Sequence, residues 1–194
     1  MVAVNSTMLP LGTPLPPLEL PDPTGAVWSA ARDAAGAPAL VVAFVCNHCP
    51  YVRHLGPDLG RMAADWQRAG AVVVAVNAND ADAYPDDAPE AMIATADEWG
   101  WTFPYLVDAE QSAAHAFAAA CTPDFYVFDA SGLLAYRGRF DGSTPGNDVA
   151  VTGDELDAAV RAVLAGDPVP AETQVASIGC SIKWRPGHEP PWCG

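Results

Sequence analysis

An apolar run at residues 39–45 constrains the fold most, because two cysteines and a helical pattern follow it at once. The run holds β-branched residues and no polar one, which is typical of a strand buried on both faces of a parallel sheet. Apolar residues then recur at spacings of three and four, as on one face of a helix; they are Leu55, Leu59, Met62, Ala63 and Trp66. A second apolar run at residues 71–76 completes a strand–helix–strand unit.

The remaining patterns predict the other elements of an α/β chain. In chain order they are a strand at 15–20, a helix at 89–100, a strand at 103–107, a helix at 110–120 and a hairpin made of residues 125–128 and 133–136. Thr152 and Glu155 have the spacing of a capping box, which predicts a last helix from Thr152 to Gly166. We therefore expect a three-layer α/β sandwich: a mixed central sheet flanked by helices, with an N-terminal β extension.

The chain length favours a single domain, since 194 residues leave little room for two full cores. We expect that domain at residues 1–166, with its core at about 37–166. The remaining segment, 167–194, is rich in proline, which predicts an irregular C-terminal tail packed on the domain.

Charge and cysteine content exclude several classes of function. A formal net charge of −15 argues against binding to nucleic acid or anionic lipid, because both need a basic surface. No basic, apolar leader precedes the first prolines, and no apolar run is long enough to span a bilayer, so we expect a soluble cytoplasmic protein. There, closely spaced cysteines are more often catalytic or metal-binding than structural. The five cysteines are an odd number, so they cannot all pair within the chain.

Cys46 and Cys49 lie where the buried strand ends and the helix begins. A helix N-terminus stabilises an anion, so we expect a lowered pKa for Cys46, with Cys46 exposed and Cys49 more buried. The two-residue spacing puts Cys49 one turn on, within reach of Cys46 for a disulfide. We expect Asn47, His48 and Pro50 to modulate the pair, His48 by stabilising the thiolate and Pro50 by occupying the first helical turn.

Two other interpretations of the pair stay open. Zinc usually takes four ligands from two paired spacings, and the sequence holds no second Cys-x-x-Cys, so we expect no metal. Free cysteines are also common in protein cores, so two inert buried thiols are the other alternative.

Three motifs carry a resemblance to a known family. They are Cys46-Asn47-His48-Cys49-Pro50-Tyr51-Val52, Cys121-Thr122-Pro123-Asp124 and Gly179-Cys180-Ser181-Ile182-Lys183-Trp184. Together with the order of strands and helices, they resemble thioredoxin-superfamily proteins of the peroxiredoxin-like branch, which includes the alkyl hydroperoxide reductase, thiol-specific antioxidant and redoxin proteins. The resemblance covers residues 10–166 as a fold and reaches into the tail as a motif.

The resemblance implies a thioredoxin-like fold and a role for each motif. Cys46 would be the attacking thiol and Cys49 the resolving thiol. Pro123 would be a cis-proline facing them, and Thr122 would offer its backbone to an extended substrate segment. If the peroxidatic cysteine of peroxiredoxins is aligned with Cys49, Val42 and Cys46 stand where that family has a proline and a threonine or serine. This departure weakens a peroxidase function.

The proton acceptor for Cys49 is left unassigned by the sequence. Thioredoxins carry a buried acid six residues before the first cysteine, and here that position is Leu40. His48, His54 and water are the alternatives.

The other three cysteines are interpreted from their positions. Cys121 precedes the predicted cis-proline, so it would lie near the dithiol as a third redox thiol or as a buried structural residue. Cys180 and Cys193 lie in the tail. They could pair with each other, one could resolve an oxidised Cys46, or both could stay as thiols.

These observations predict a thiol–disulfide oxidoreductase that uses Cys46 and Cys49 and needs no cofactor beyond their disulfide. Its partners would be protein or small-molecule thiols and disulfides. Two alternatives stay open: a thiol-dependent peroxidase, and a redox-sensing or partner-binding module without turnover, which the acidic loop at 77–90 favours. The sequence leaves open the substrate, the direction of electron flow and the oligomeric state.

Overall fold

The computed structural model describes residues 3–192 and has the α/β architecture expected from the sequence. The strands are β1 (Ala3–Asn5), β2 (Glu19–Pro21), β3 (Val27–Ser29), β4 (Ala39–Phe44), β5 (Val72–Asn77), β6 (Tyr105–Val107), β7 (Cys121–Thr122), β8 (Asp124–Asp129), β9 (Leu134–Gly138) and β10 (Ile178–Ser181). The helices are α1 (Ala30–Asp33), α2 (Pro50–Arg68), α3 (Pro89–Glu98), α4 (Ser112–Ala116) and α5 (Asp154–Ala165), with 3₁₀ turns at Pro85–Asp87 and Ala171–Thr173.

A five-stranded mixed sheet forms the central layer, with strand order β6-β5-β4-β8-β9. β4, β5 and β6 run parallel, whereas β8 and β9 join antiparallel on the other side of β4. Helices α2 and α5 pack on one face, while α4 and the β2–β3 hairpin cover the other. The predicted three-layer sandwich with an N-terminal β extension is therefore confirmed.

β4 is the middle strand, and its sequence is apolar throughout because both of its faces are buried. Ala39, Val41 and Ala43 belong to the core on the side of α2 and α5. Leu40, Val42 and Phe44 belong to the core on the other side. Burying a large aliphatic or aromatic side chain stabilises a fold by about 1.5–3 kcal/mol. β4 is therefore held firmly in the core, and so is its carboxyl end, where the loop with Cys46 begins.

The amphipathic face of α2 packs against the sheet with the apolar residues that predicted it. Two glycines on this helix allow aromatic side chains to approach its backbone. A Cβ on Gly56 would lie 2.6 Å from Cδ2 of Trp99, and one on Gly60 would lie 2.8 Å from Cδ1 of Trp101. The Trp101 indole also donates a hydrogen bond to the carbonyl of Gly56 at 2.8 Å. These contacts hold α2 in place beyond its first turns.

β10 makes the C-terminal segment less irregular than its prolines suggest. It lies between β1 and β7 in a second, three-stranded sheet and is antiparallel to both. Cys180 is opposite Thr122 on one side and opposite Ala3 on the other. The segment after β10 is tied to the domain through Arg185, whose guanidinium donates to Asp82 at 2.9 Å.

α5 corrects one prediction, because the capping box of Thr152 and Glu155 does not form. The helix starts after Gly153, which is the N-cap residue at φ +64°. The backbone N–H groups of Thr152 and Gly153 donate to the Asp141 carboxylate at 2.6 and 2.7 Å. Glu155 accepts from the Arg139 guanidinium instead, so an acid from the preceding loop holds the two residues before the helix, and no side chain caps the helix itself.

The helix predicted at 110–120 is shorter, since α4 spans only Ser112–Ala116. Gln111 and Ala118 both adopt positive φ, which ends regular helix on either side. α5 ends at Ala165, beside the predicted boundary at residue 166, and that division into domain and tail stays a prediction. Within residues 3–192, no helix combines the length and the apolar character needed to cross a bilayer.

Candidate dithiol site

The two cysteines lie at the carboxyl end of β4, where the chain turns into α2. Cys46 follows the strand, and Cys49 is the N-cap residue of the helix. Thr122 lies against both sulfurs: its Oγ1 is 3.4 Å from Cys46 Sγ, and its carbonyl oxygen is 3.1 Å from Cys49 Sγ. The bond between Thr122 and Pro123 is cis, as the resemblance implied. A Cys-x-x-Cys pair is thus assembled against a cis-proline loop.

Both thiols are buried, which contradicts the expectation of an exposed first sulfur. Cys46 is 1% exposed and Cys49 is 0% exposed. The physical reason is that each sulfur is covered by a different segment. Thr122 and the loop that carries Asp87 lie against Cys46, and β10 lies on the side of Cys49, where it brings Cys180 next to that sulfur. The edge at which Thr122 was expected to meet a substrate is occupied by the chain itself, so the substrate-facing role of Thr122 and Pro123 stays a prediction.

The protonation of the pair is also the reverse of the expectation. The hydrogen bond from Cys46, together with those from Cys180, the Val52 amide and Thr122, outweighs burial and lowers the pKa of Cys49 to about 5. The hydrogen bond to Cys49, burial and the negative charge of Asp87 raise the pKa of Cys46 well above its ordinary value. The physical reason is that Cys49 receives the hydrogen bond from Cys46 and three further ones, whereas Thr122 is the one group that lowers the pKa of Cys46. The shared proton therefore stays on Cys46.

Cys180 is the third thiol of the site. Its side chain is hydrogen-bonded to that of Cys49 and is 3% exposed. Burial, followed by this hydrogen bond, raises its pKa to about 12. Sequence position alone gave no reason to place Cys180 closer to the dithiol than Cys121.

Cys121 lies near the dithiol, as expected, but it faces other groups. Its thiol donates to the carbonyls of Pro123 at 3.8 Å and Ser177 at 4.0 Å. Burial raises its pKa well above the ordinary value. Cys193 lies outside the described residues, so its pairing with Cys180 stays a prediction.

His48 forms an ion pair with Asp87, a residue that the sequence did not single out. His48 Nδ1 lies 2.7 Å from Asp87 Oδ2, and the imidazole stacks on Tyr84 with ring centroids 5.6 Å apart. The Asp87 carboxylate raises the pKa of His48. His48 therefore presents a positive charge beside the dithiol over a wider pH range than an ordinary histidine does.

Asp87 is held by hydrogen bonds that make its burial possible. Its carboxylate accepts from the Asn47 amide N–H at 2.8 Å and from Asn79 Nδ2 at 2.7 Å, in addition to His48. Burial raises the pKa of Asp87, but these hydrogen bonds outweigh burial and hold the pKa below its usual range. A spacing rule could not find this residue, because it is one acid among many in the loop after β5. The topology did offer a signal. β4 and β5 are parallel neighbours, so the loops that follow them, which carry the cysteines and Asp87, leave the sheet at the same edge.

Asn47 and Pro50 fix the loop between the cysteines. The Asn47 side chain accepts from Tyr105 Oη at 3.0 Å and donates to the carbonyl of Asp86 at 2.8 Å. Pro50 is the first residue of α2, where its missing N–H leaves no hydrogen bond unmade. Both residues therefore hold the loop in place, and their modulation of the dithiol stays a prediction.

Three ligand atoms near the dithiol are close enough to share a metal ion. They come from Cys46, His48 and Asp87, and lie within 4.8 Å of one another. The set is one short of the four ligands of a structural zinc site, and His48 Nδ1 is already bound to the Asp87 carboxylate. The expectations of no metal and no cofactor stay predictions.

Comparison with known proteins places this site in a family context. Residues 11–137 match the AhpC/TSA family. A search of curated proteins found no significant match.

Two solved structures are similar over nearly the whole chain. An uncharacterized conserved protein from Geobacillus kaustophilus is 47% identical, with a TM-score of 0.91 over 96% of this chain and 98% of that one. A hypothetical protein from Sinorhizobium meliloti 1021 is 46% identical, with a TM-score of 0.91 over 94% and 99%. A secreted disulfide oxidoreductase from Mycobacterium tuberculosis is 20% identical, with a TM-score of 0.57 over 75% and 95%, and supports the thioredoxin fold alone.

Proposed function

Because the chain belongs to the AhpC/TSA family and has the thioredoxin fold, its function is a redox one, and we propose that it is a thiol–disulfide oxidoreductase. The reacting groups in this proposal are the thiols of Cys46 and Cys49. The protein would need no cofactor, since the dithiol itself carries the two electrons. We propose thiols and disulfides, on proteins or small molecules, as its partners and the cytoplasm as its location.

One observation carries the proposal: both sulfurs contact Thr122 and are hydrogen-bonded to each other. Two thiols in that relation can close to a disulfide without a large movement of the backbone. Cys49 is also the N-cap residue of α2 and has a lowered pKa, and neither feature is expected of an inert cysteine in a protein core.

The proposed reaction starts from a pair that holds one proton at neutral pH. That proton passes from Cys46 to Cys49 as the Cys46 sulfur attacks a substrate disulfide, forming a mixed disulfide and releasing one substrate thiolate. The released thiolate takes the proton from Cys49. Cys49 then attacks Cys46, which gives the Cys46–Cys49 disulfide and releases the second substrate sulfur as a thiolate. Cys46 is the attacking sulfur because Cys49 is surrounded by Cys46, Thr122 and Cys180.

An insulin-reduction assay with dithiothreitol tests the proposal. We expect Cys46→Ser and Cys49→Ser to lose activity, and Cys121→Ser, which removes a buried thiol outside the hydrogen-bonded pair, to keep it. A mixed disulfide with substrate should accumulate in Cys49→Ser. Undiminished activity in Cys46→Ser would refute the proposed reaction.

A peroxidase is the second candidate, and the lowered pKa of Cys49 at the start of α2 favours it. The Cys49 thiolate would attack a peroxide oxygen, giving a sulfenic acid and an alcohol or water. Cys46 would then displace water from that sulfenic acid and form the disulfide. The Val42 and Cys46 departures weigh against this function. Peroxide consumption that is fast, saturable and lost in Cys49→Ser would support the second candidate over the first.

A further inference from the structure

We propose that Cys180 is a third redox thiol, which exchanges with the Cys46–Cys49 disulfide and stores it as a Cys49–Cys180 disulfide. This inference rests on the proposed function of the dithiol. It adds a second internal disulfide to the reaction and assigns a chemical role to the C-terminal segment.

The position of Cys180 is fixed by strand pairing. In the antiparallel register of β10 and β7, Cys180 is directly opposite Thr122, and the carbonyl oxygen of Thr122 lies 3.1 Å from Cys49 Sγ. The side chains of Cys180 and Cys49 are hydrogen-bonded to each other. Cys49 thus has a thiol neighbour on either side, one from its own loop and one from β10.

Gly179 makes this close approach possible. A Cβ at residue 179 would overlap the carbonyl of Thr122, so a residue with a side chain could not sit there without moving the strand. The absence of a Cβ lets β10 lie against the same residue that contacts both sulfurs of the dithiol. The contact between Cys180 and Cys49 is therefore built into the pairing.

β10 also takes the place of a partner strand. Thr122 lies just before the cis-proline, at an edge where an extended peptide would pair by strand addition. Here that edge pairs with a segment of the same chain, and the segment presents a thiol to the dithiol. A segment of this chain thus occupies the edge where a substrate strand would pair, and it places Cys180 beside Cys49.

The exchange balances without any external reagent. The sulfur of Cys180 attacks Cys49 in the Cys46–Cys49 disulfide, which forms the Cys49–Cys180 bond and breaks the Cys46–Cys49 bond. The proton of Cys180 passes to the Cys46 thiolate that leaves, so the number of disulfides is unchanged. The charge on Cys49 contributes to the raised pKa of Cys180 in the reduced protein, and that charge is gone once Cys49 is in a disulfide.

Cys121 is the matched control, because it lies on the neighbouring strand yet faces away from Cys49. It is opposite Ser181 in the register, and its thiol donates to backbone carbonyls. An oxidised chain should therefore form no disulfide between Cys49 and Cys121.

Disulfide mapping by mass spectrometry on the full chain, oxidised with glutathione disulfide, tests the inference. We expect both the Cys46–Cys49 and the Cys49–Cys180 disulfides in the wild type. In Cys46→Ser the Cys49–Cys180 disulfide should be the major product, and Cys46→Ser/Cys180→Ser should lose it. Cys46→Ser/Cys121→Ser should keep it.

The result separates this inference from the proposed function. If the wild type forms the Cys46–Cys49 disulfide but neither it nor Cys46→Ser forms a Cys49–Cys180 disulfide, the role of Cys180 is refuted while the oxidoreductase stands. If the wild type forms no Cys46–Cys49 disulfide and reduces no insulin, the proposed function fails as well.

Discussion

Replacing Cys46 with alanine should raise the pKa of Cys49 from about 5 to roughly 6–7. The hydrogen bond from Cys46 is the largest contribution that lowers this pKa. A hydrogen bond to a charged group contributes about 1.5–3 kcal/mol, and a pKa unit corresponds to about 1.36 kcal/mol. Its loss therefore shifts the pKa by about 1–2 units, and the remaining donors, Cys180, Val52 and Thr122, keep it below that of an ordinary thiol.

The ultraviolet absorbance of the thiolate, followed through a pH titration, measures this shift. The method suits this site because it does not require the buried sulfur to react with a reagent. Cys46→Ser is the matched control, since serine keeps a hydrogen-bond donor at the same position and should leave the pKa of Cys49 near 5. Cys49→Ala should abolish the low-pKa titration.

Two outcomes would refute this reasoning. If Cys46→Ala titrates like the wild type, the hydrogen bond from Cys46 does not stabilise the thiolate. If the low-pKa titration disappears in Cys46→Ala but persists in Cys49→Ala, the charge resides on Cys46, and the hydrogen bonds to Cys49 do not decide which sulfur holds the proton.

Three further perturbations test the surroundings of the site. Asp87→Asn should lower the pKa of His48, measured by NMR titration, because the carboxylate 2.7 Å from Nδ1 stabilises the imidazolium. Burial raises the pKa of Asp124 from 3.8 to about 6. The folded protein therefore holds the proton of Asp124 more tightly than the unfolded chain does, which stabilises it fully below pH 3.8. This stabilisation is lost as the pH rises through about 6. In urea unfolding, this rise in pH should lower the free energy of unfolding of the wild type by about 3 kcal/mol. Asp124→Asn should not show this decrease, since asparagine has no proton to lose. Gly179→Ala should cost about 1–3 kcal/mol in the same assay, because its Cβ overlaps a backbone carbonyl.

Each of these predictions has a control. Asp86→Asn removes a neighbouring acid whose carboxylate does not contact His48, and it should leave the pKa of His48 unchanged. A wild-type stability that is level through about pH 6 would contradict the reasoning on Asp124. Gly142→Ala adds a Cβ whose nearest neighbour is at 3.7 Å, so equal stability of the two glycine variants would argue against the contact between Gly179 and Thr122.

The central sheet was predictable because its signals are local. β4 is apolar along its whole length since both faces are buried, and the stripe on α2 repeats with the period of a helix. The strand, the Cys-x-x-Cys and the helix follow one another without interruption, so the place of Cys46 and Cys49 could be assigned from the chain alone.

The environment of the dithiol was not predictable, because it comes from segments far away in sequence. The nearest acid along the chain did not supply the carboxylate beside the site; Asp87, in the loop after β5, did. β10 carries no alternation of apolar and polar residues and is surrounded by prolines, so nothing local marked it as a strand. Without the loop that carries Asp87, the burial of Cys46 could not be foreseen, and without β10 neither could the contact of Cys180 with Cys49.

The small sheet of β1, β10 and β7 has a consequence for synthesis of the protein. All five strands of the central sheet lie between residues 39 and 138, whereas β10 emerges from the ribosome only after α5. Domains fold during synthesis from the N-terminal side, so the Cys-x-x-Cys would be assembled before the strand that covers it has been made. We expect the nascent chain to pass through an interval in which its dithiol is formed and open to solvent, and β10 to close that interval.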